Sequence, residues 1–128
     1  MSSRSDKEFL SDIQEAIQRI QVYTAGMSYD AFLADTKTQD AVIRNLEIIG
    51  EATKGLSDQI RERYTAVPWK NMAGARDRLI HHYFGVNLDV IWGIVTLEMS
   101  DLAAQLTQIL KDDLSQGVDK ENDHSNDS

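Results

Sequence analysis

Apolar residues recur along this chain every three or four positions, the spacing that lines one face of an α-helix. Leu10, Ile13, Ile17 and Ile20 form the first stripe and predict a helix from about Asp6 to Tyr23, ended by Gly26. Ser28 is placed to cap a short helical turn that carries Phe32 and Leu33. A longer helix begins near Thr38 or Asp40, its two candidate caps, and carries Val42, Leu46 and Ile49. Beyond a break at Gly55 come Leu56, Ile60 and Tyr64, with Ser57 as cap and Asp58 as a first-turn acid that suits the helix dipole. The only proline, Pro68, opens a helix running roughly from Trp69 to Phe84 and stopped by Gly85. Asn87 caps the last helix, which reaches about Asp112. Its seam of Leu88, Ile91, Val95, Met99, Leu102, Leu106 and Ile109 alternates steps of three and four, as bundle packing requires. The pattern predicts an all-α protein, an antiparallel bundle of four main helices plus short helical turns.

A length of 128 residues is enough for one such domain. The bundle is expected over residues 1–114, and the Ser-, Asn-, Asp- and Gly-rich stretch 115–128 is expected to be a disordered acidic tail. With no cysteine, disulfides and thiolate metal sites are excluded, which suits a reducing compartment. The start has no apolar run like a signal peptide, and no apolar stretch has the length of a membrane span. The expectation is a cytoplasmic protein with no membrane association.

Charge changes the picture only through its distribution. The net charge is −8, which by itself opposes nucleic-acid binding. Residues 112–128, however, hold six acids against one base. Between Lys54 and Arg78 lie six bases (Lys54, Arg61, Arg63, Lys70, Arg76 and Arg78) against three acids, so a basic window sits inside an acidic chain. On charge alone a solvated helical face is the preferred account of it.

Gly-rich phosphate loops, His-Glu-x-x-His pairs and Gly-x-Ser-x-Gly elbows do not occur. Glu47 and Glu51 share a helix face, but no histidine stands at matching spacing. A solvated or Arg44-paired face is therefore preferred to a metal site, and neither metal nor cofactor is expected. The chemistry gathers instead in Ala75-Arg76-Asp77-Arg78-Leu79-Ile80-His81-His82-Tyr83-Phe84-Gly85-Val86. Metal-free RNA cleavage needs a group of near-neutral pKa to move protons, and a fixed cation for the phosphate. His81 and Arg76 are of those types, and a helix C-terminus would favour protonated His81. On one helix, residues five apart stand about 140° from each other, so spacing alone does not aim Arg76 and His81 at one point. Arg76 and Tyr83, seven apart, lie within about 20° of one line. A two-fold axis through this face would put two arginines and two histidines in one cleft, supplying both acid and base. Without that, both histidines are ordinary helix-end residues with structural hydrogen bonds.

The pattern Arg76-x4-His81-x-Tyr83 resembles the signature of HEPN-domain toxins, in the HepT-like branch paired with minimal nucleotidyltransferase antitoxins. The resemblance covers most of residues 5–112 and includes Arg44-Asn45-Leu46-Glu47-Ile48-Ile49-Gly50-Glu51-Ala52, Pro68-Trp69-Lys70, Gly74-Ala75-Arg76 and His81-His82-Tyr83-Phe84-Gly85-Val86. It implies a HEPN-like helical bundle forming a homodimer, in which motif helices of both subunits line an RNA-binding cleft. It also implies a metal-independent endoribonuclease with Arg76 and His81 as the catalytic pair and RNA, plausibly tRNA, as substrate. Tyr83 matches the tyrosine that a cognate nucleotidyltransferase antitoxin modifies with AMP. The residue after the arginine is often Asn in this family; here it is Asp77, a supporting residue that either orients Arg76 or weakens phosphate binding. Two other readings stand beside this one. A non-catalytic helper for a nucleotidyltransferase would not need Arg76 or His81, and in a plain helical adaptor the motif would be accidental.

Overall fold

The structure, a computed structural model, describes residues 5–79 and 87–126, with side chains described at all of these except 76, 79 and 113–126. Among the described residues there are eight helical segments and no strand. The all-α class is as expected, and the positions at which the helices break account for the larger number of segments.

Helix α1 (Asp6–Thr24) starts in a reciprocal cap: the Ser5 hydroxyl accepts the Glu8 N–H while the Glu8 carboxylate accepts the Ser5 N–H. Its predicted stripe, Leu10, Ile13, Ile17 and Ile20, is wholly buried. Gly26, at φ 73°, turns the chain back. Ser28 then caps α2 (Tyr29–Leu33), whose Phe32 is fully buried.

Helix α3 (Thr36–Gly55) begins earlier than either cap expected from the sequence. Asp35 is the cap: its carboxylate accepts the Thr38 N–H at 3.0 Å and the Thr38 hydroxyl at 2.8 Å. These bonds, the backbone one first, hold the Asp35 carboxyl below its ordinary value. Thr38, one of the expected caps, is the donor in this motif. Val42, Leu46 and Ile49 face the core as predicted.

Helices α1 and α3 run antiparallel, and the start of one is tied to the end of the other. Ser57 donates its N–H and its hydroxyl to the two oxygens of Asp6, at 2.9 and 2.6 Å. At the same corner a Cβ built on Gly55 would lie 2.5–2.8 Å from the Phe9 ring, so glycine is what lets that ring lie across the end of α3. Ser57 also caps α4 (Asp58–Arg63), as expected.

Two predicted helices are divided. The one expected from Trp69 to Phe84 is cut at Gly74 into α5 (Trp69–Ala73) and α6 (Ala75–Leu79). Glycine's low helix propensity permits the break, and the Gly74 N–H turns back to the Lys70 carbonyl at 3.0 Å. The expected end at Phe84 and Gly85 lies outside the described residues. The last predicted helix is kinked at Glu98 into α7 (Leu88–Leu97) and α8 (Met99–Asn126), with Asn87 capping α7 as predicted. Ile94 rather than Val95 takes the deep position on that seam, while Ile91, Met99, Leu102, Leu106 and Ile109 are buried. Helix α8 runs to Asn126, past Asp112 and through the segment expected as a tail. No proline interrupts it, and a lone Gly117 costs a helix interior only about 1 kcal/mol relative to alanine.

The core is a single cluster in which α1 and α3 meet each other and receive α8, α5, α6 and α7. Leu106, fully buried where α8 crosses that cluster, tests it. Leu106→Ala is expected to lower unfolding free energy by about 2–5 kcal/mol. Val22→Ala, at an exposed position on α1, should change it by no more than about 0.5 kcal/mol. Urea titration of both variants reads the difference.

Candidate active site

The segment carrying the motif is placed from two sides. Trp69 is buried and donates its indole N–H to the Tyr64 carbonyl at 2.9 Å, which fixes the entry into α5 just after Pro68. Met72 is buried, and α5 packs on α3 near Gly50, where a built Cβ would lie 3.4 Å from the Met72 carbonyl oxygen. The Ile-Gly-Glu-Ala and Pro-Trp segments thus meet in space. After the turn at Gly74, Ala75 is buried and α6 packs against both α3 and α7.

Arg76 stands in the first turn of α6, followed by the exposed Asp77. The Arg76 side chain is not among those described, and His81, His82 and Tyr83 lie outside the described residues. The helical offset between Arg76 and His81, and the shared line of Arg76 and Tyr83, therefore stay as expectations.

The basic window is accounted for residue by residue. Arg61 donates to the Thr53 and Lys54 carbonyls at 2.8 and 3.3 Å, so its guanidinium covers the carbonyl end of α3. Arg78 makes two parallel bonds to Glu98, Nη1 to Oε1 at 3.2 Å and Nη2 to Oε2 at 2.8 Å. These bonds raise the arginine's pKa above its ordinary value. Arg63 lies over the Tyr64 ring, 5.5 Å from its centroid. Lys54 is exposed and 4.0 Å from Glu51, and Lys70 is exposed. Two of the six cations, Arg61 and Arg78, are thus committed to internal contacts. The net charge of the window overstates what it offers a phosphate.

Sequence reasoning passed over Glu98. Its signal was present: it stands four after Ile94 and four before Leu102, an acid inside an apolar seam. An ionised carboxylate there needs a cationic partner, and Arg78 supplies it.

Glu47 and Glu51 border a groove of about 420 Å³ between α1 and α3, together with Phe9, Asp12, Arg44, Ile48 and Ala52. Among the described residues no group of three or more histidine, aspartate or glutamate side chains is arranged to hold a metal ion. No described helix is long and apolar enough to cross a membrane.

Comparison with known proteins gives a consistent result. Residues 13–109 match the family model described as "Ribonuclease HepT-like". The chain is 46% identical over 112 residues to "Putative RNase MJ0127" of Methanocaldococcus jannaschii, covering 88% of this chain and 93% of that protein. It is 44% identical over 108 residues to "Probable ribonuclease HepT" of Thermococcus cleftensis, covering 84% of this chain and 98% of the relative. A third relative, "Putative RNase TTE0752" of Caldanaerobacter subterraneus, is 41% identical over 105 residues, 82% of this chain and 90% of its own length. No solved structure matches.

Proposed function

The chain belongs to the HepT-like ribonuclease family, and on that premise we propose that it is a metal-independent endoribonuclease acting as a homodimer. The observation that carries the reading is the motif Arg76-x4-His81, which opens on a helix held between α3 and α7. Arg76 binds the scissile phosphate through its guanidinium and offsets the charge that builds on the phosphoryl oxygens. His81 of one copy takes the proton from the ribose 2′-hydroxyl, whose oxygen attacks phosphorus. The 5′-oxygen leaves and takes a proton from the second copy's His81. The products are a 2′,3′-cyclic phosphate and a free 5′-hydroxyl. One histidine cannot be acid and base in the same step, which is why the reading requires two copies.

The remainder of the reading concerns control. The protein is the toxin of a toxin–antitoxin pair, cytoplasmic, with tRNA as the RNA class and a minimal nucleotidyltransferase as antitoxin. Tyr83 is the residue modified. Its phenol oxygen attacks the α-phosphorus of ATP, pyrophosphate leaves, and the phenol proton passes to solvent. The added phosphate then competes with RNA for Arg76, and the adenine fills the space of a stacked base. Asp77, exposed beside Arg76, supports the site by orienting that guanidinium. Residues 115–128 form the acidic appendage to a catalytic unit of residues 1–114.

Three measurements test this reading. Purified protein is expected to cleave RNA in the presence of chelator and leave cyclic phosphate ends, and His81→Ala to lower the rate by about 10²–10⁴-fold while staying folded. A folded His81→Ala protein that cuts at the parent rate removes the assignment. Light scattering should give twice the mass of one chain at micromolar concentration; a single-chain mass throughout refutes the composite site. Co-expression with a minimal nucleotidyltransferase of the proposed antitoxin class should add AMP increments that peptide sequencing maps to Tyr83. An active Tyr83→Phe variant should carry none and escape silencing. An adduct elsewhere ends that role for Tyr83.

A further inference from the structure

Arg78 and Glu98 are twenty positions apart in sequence and joined by two parallel hydrogen bonds, at 2.8 and 3.2 Å. Most surface ion pairs contribute little, because two flexible side chains must be held in one geometry against solvent. This pair differs in kind. It is bidentate, which fixes orientation as well as distance, and its two side chains are only 36% and 40% exposed.

The backbone at each end explains why the geometry matters. Glu98 is the kink residue between α7 and α8, yet hydrogen bonding continues through it. Its N–H donates to the Ile94 carbonyl at 3.0 Å, and its own carbonyl accepts the Leu102 N–H at 3.1 Å. The carboxylate is therefore mounted on a hydrogen-bonded junction of two helices, flanked by the buried Ile94, Met99 and Leu102. Arg78 stands on α6, a helix of five described residues. The position of these residues is set by what they touch. Ala75 holds the start of α6 in the core, and Arg78, three positions on, is tied to Glu98. Arg76 lies between those two anchors, and His81 follows Arg78 by three positions.

A guanidinium whose two terminal nitrogens both donate to a carboxylate is poorly placed to serve a phosphate, and its charge is already offset. We infer that Arg78 and Glu98 form a strut that sets the placement of the α6 backbone carrying Arg76, which makes Arg78 a positioning residue and not an RNA ligand. The inference rests on the nuclease reading above for its consequence, but the strut itself has a readout free of it.

The test uses Glu98→Gln and Arg78→Lys, each of which removes the bidentate ion pair while keeping side-chain size roughly constant. Hydrogen exchange followed by mass spectrometry should show faster exchange in peptides over residues 75–79, with α1 and α3 unchanged. Unchanged exchange over 75–79 refutes the strut whether or not the protein cleaves RNA. In cleavage assays on folded protein, kcat should fall about tenfold or more with KM within about twofold, since small misplacements of reacting groups are costly. A tighter KM in Glu98→Gln, with kcat preserved, would identify Arg78 as a phosphate ligand freed by losing its partner, and would sink the proposal. The exchanged pair Arg78→Glu with Glu98→Arg should recover most of the kcat lost in Arg78→Glu alone, and no recovery counts against the pair as the cause. If the parent protein fails to cleave RNA while exchange over 75–79 responds as expected, the nuclease reading fails and the strut stands.

Discussion

The antiparallel packing of α1 on α3 is the frame on which the other described helices are placed. Four side chains of α1, Leu10, Ile13, Ile17 and Ile20, are removed from water completely, opposite Val42, Leu46 and Ile49 of α3. Each such burial contributes about 1.5–3 kcal/mol, and the helical spacing makes the contributions collinear, so one line of contact fixes both rotation and register. The Asp6–Ser57 clasp closes the open end of that pair. The two helices then present the surfaces on which α8, α5, α6 and α7 dock. Helix α6, on which the motif opens, is thus a passenger on α3 and α7, placed by elements far from it in sequence.

What the sequence made legible follows from the same physics. Stripes repeated over many turns reported the long helices, because each repeat is an independent sign of one buried face. Caps at Ser28, Ser57 and Asn87 were legible because each side chain bonds an N–H only three positions on. Three features were obscured. Asp35 lies before the apolar stripe of α3 starts, so the pattern placed the helix start too late. Gly74 and Glu98 interrupt helices whose stripes continue across the break, and a period of 3.6 is insensitive to a single bent residue. The extension of α8 carries little apolar patterning, so nothing in its hydrophobicity announced a helix.

The candidate site shows the same division. Residue types pointed to Arg76 and His81, because proton transfer and phosphate binding admit few side chains, while Tyr83 was singled out only through the family resemblance. The roles of the remaining bases became separable only through their partners. Arg61 covers the end of a helix and Arg78 holds a carboxylate, and neither role is visible in a count of charges. An acidic protein that binds RNA must concentrate its attraction where phosphates arrive. Within the basic window the structure takes Arg61 and Arg78 out of that count, since both guanidinium groups are held by internal partners.

The corner where the Phe9 ring lies across Gly55 has an evolutionary meaning. The two positions sit on different helices, forty-six apart in the chain, and share one volume. A lineage that acquires any side chain at 55 must at the same time reduce or redirect the ring at 9, and a lineage that loses the ring is released from glycine. Among homologous sequences these two columns should therefore drift as a linked pair, a signature of packing that has nothing to do with catalysis and would be mistaken for it if read from conservation alone.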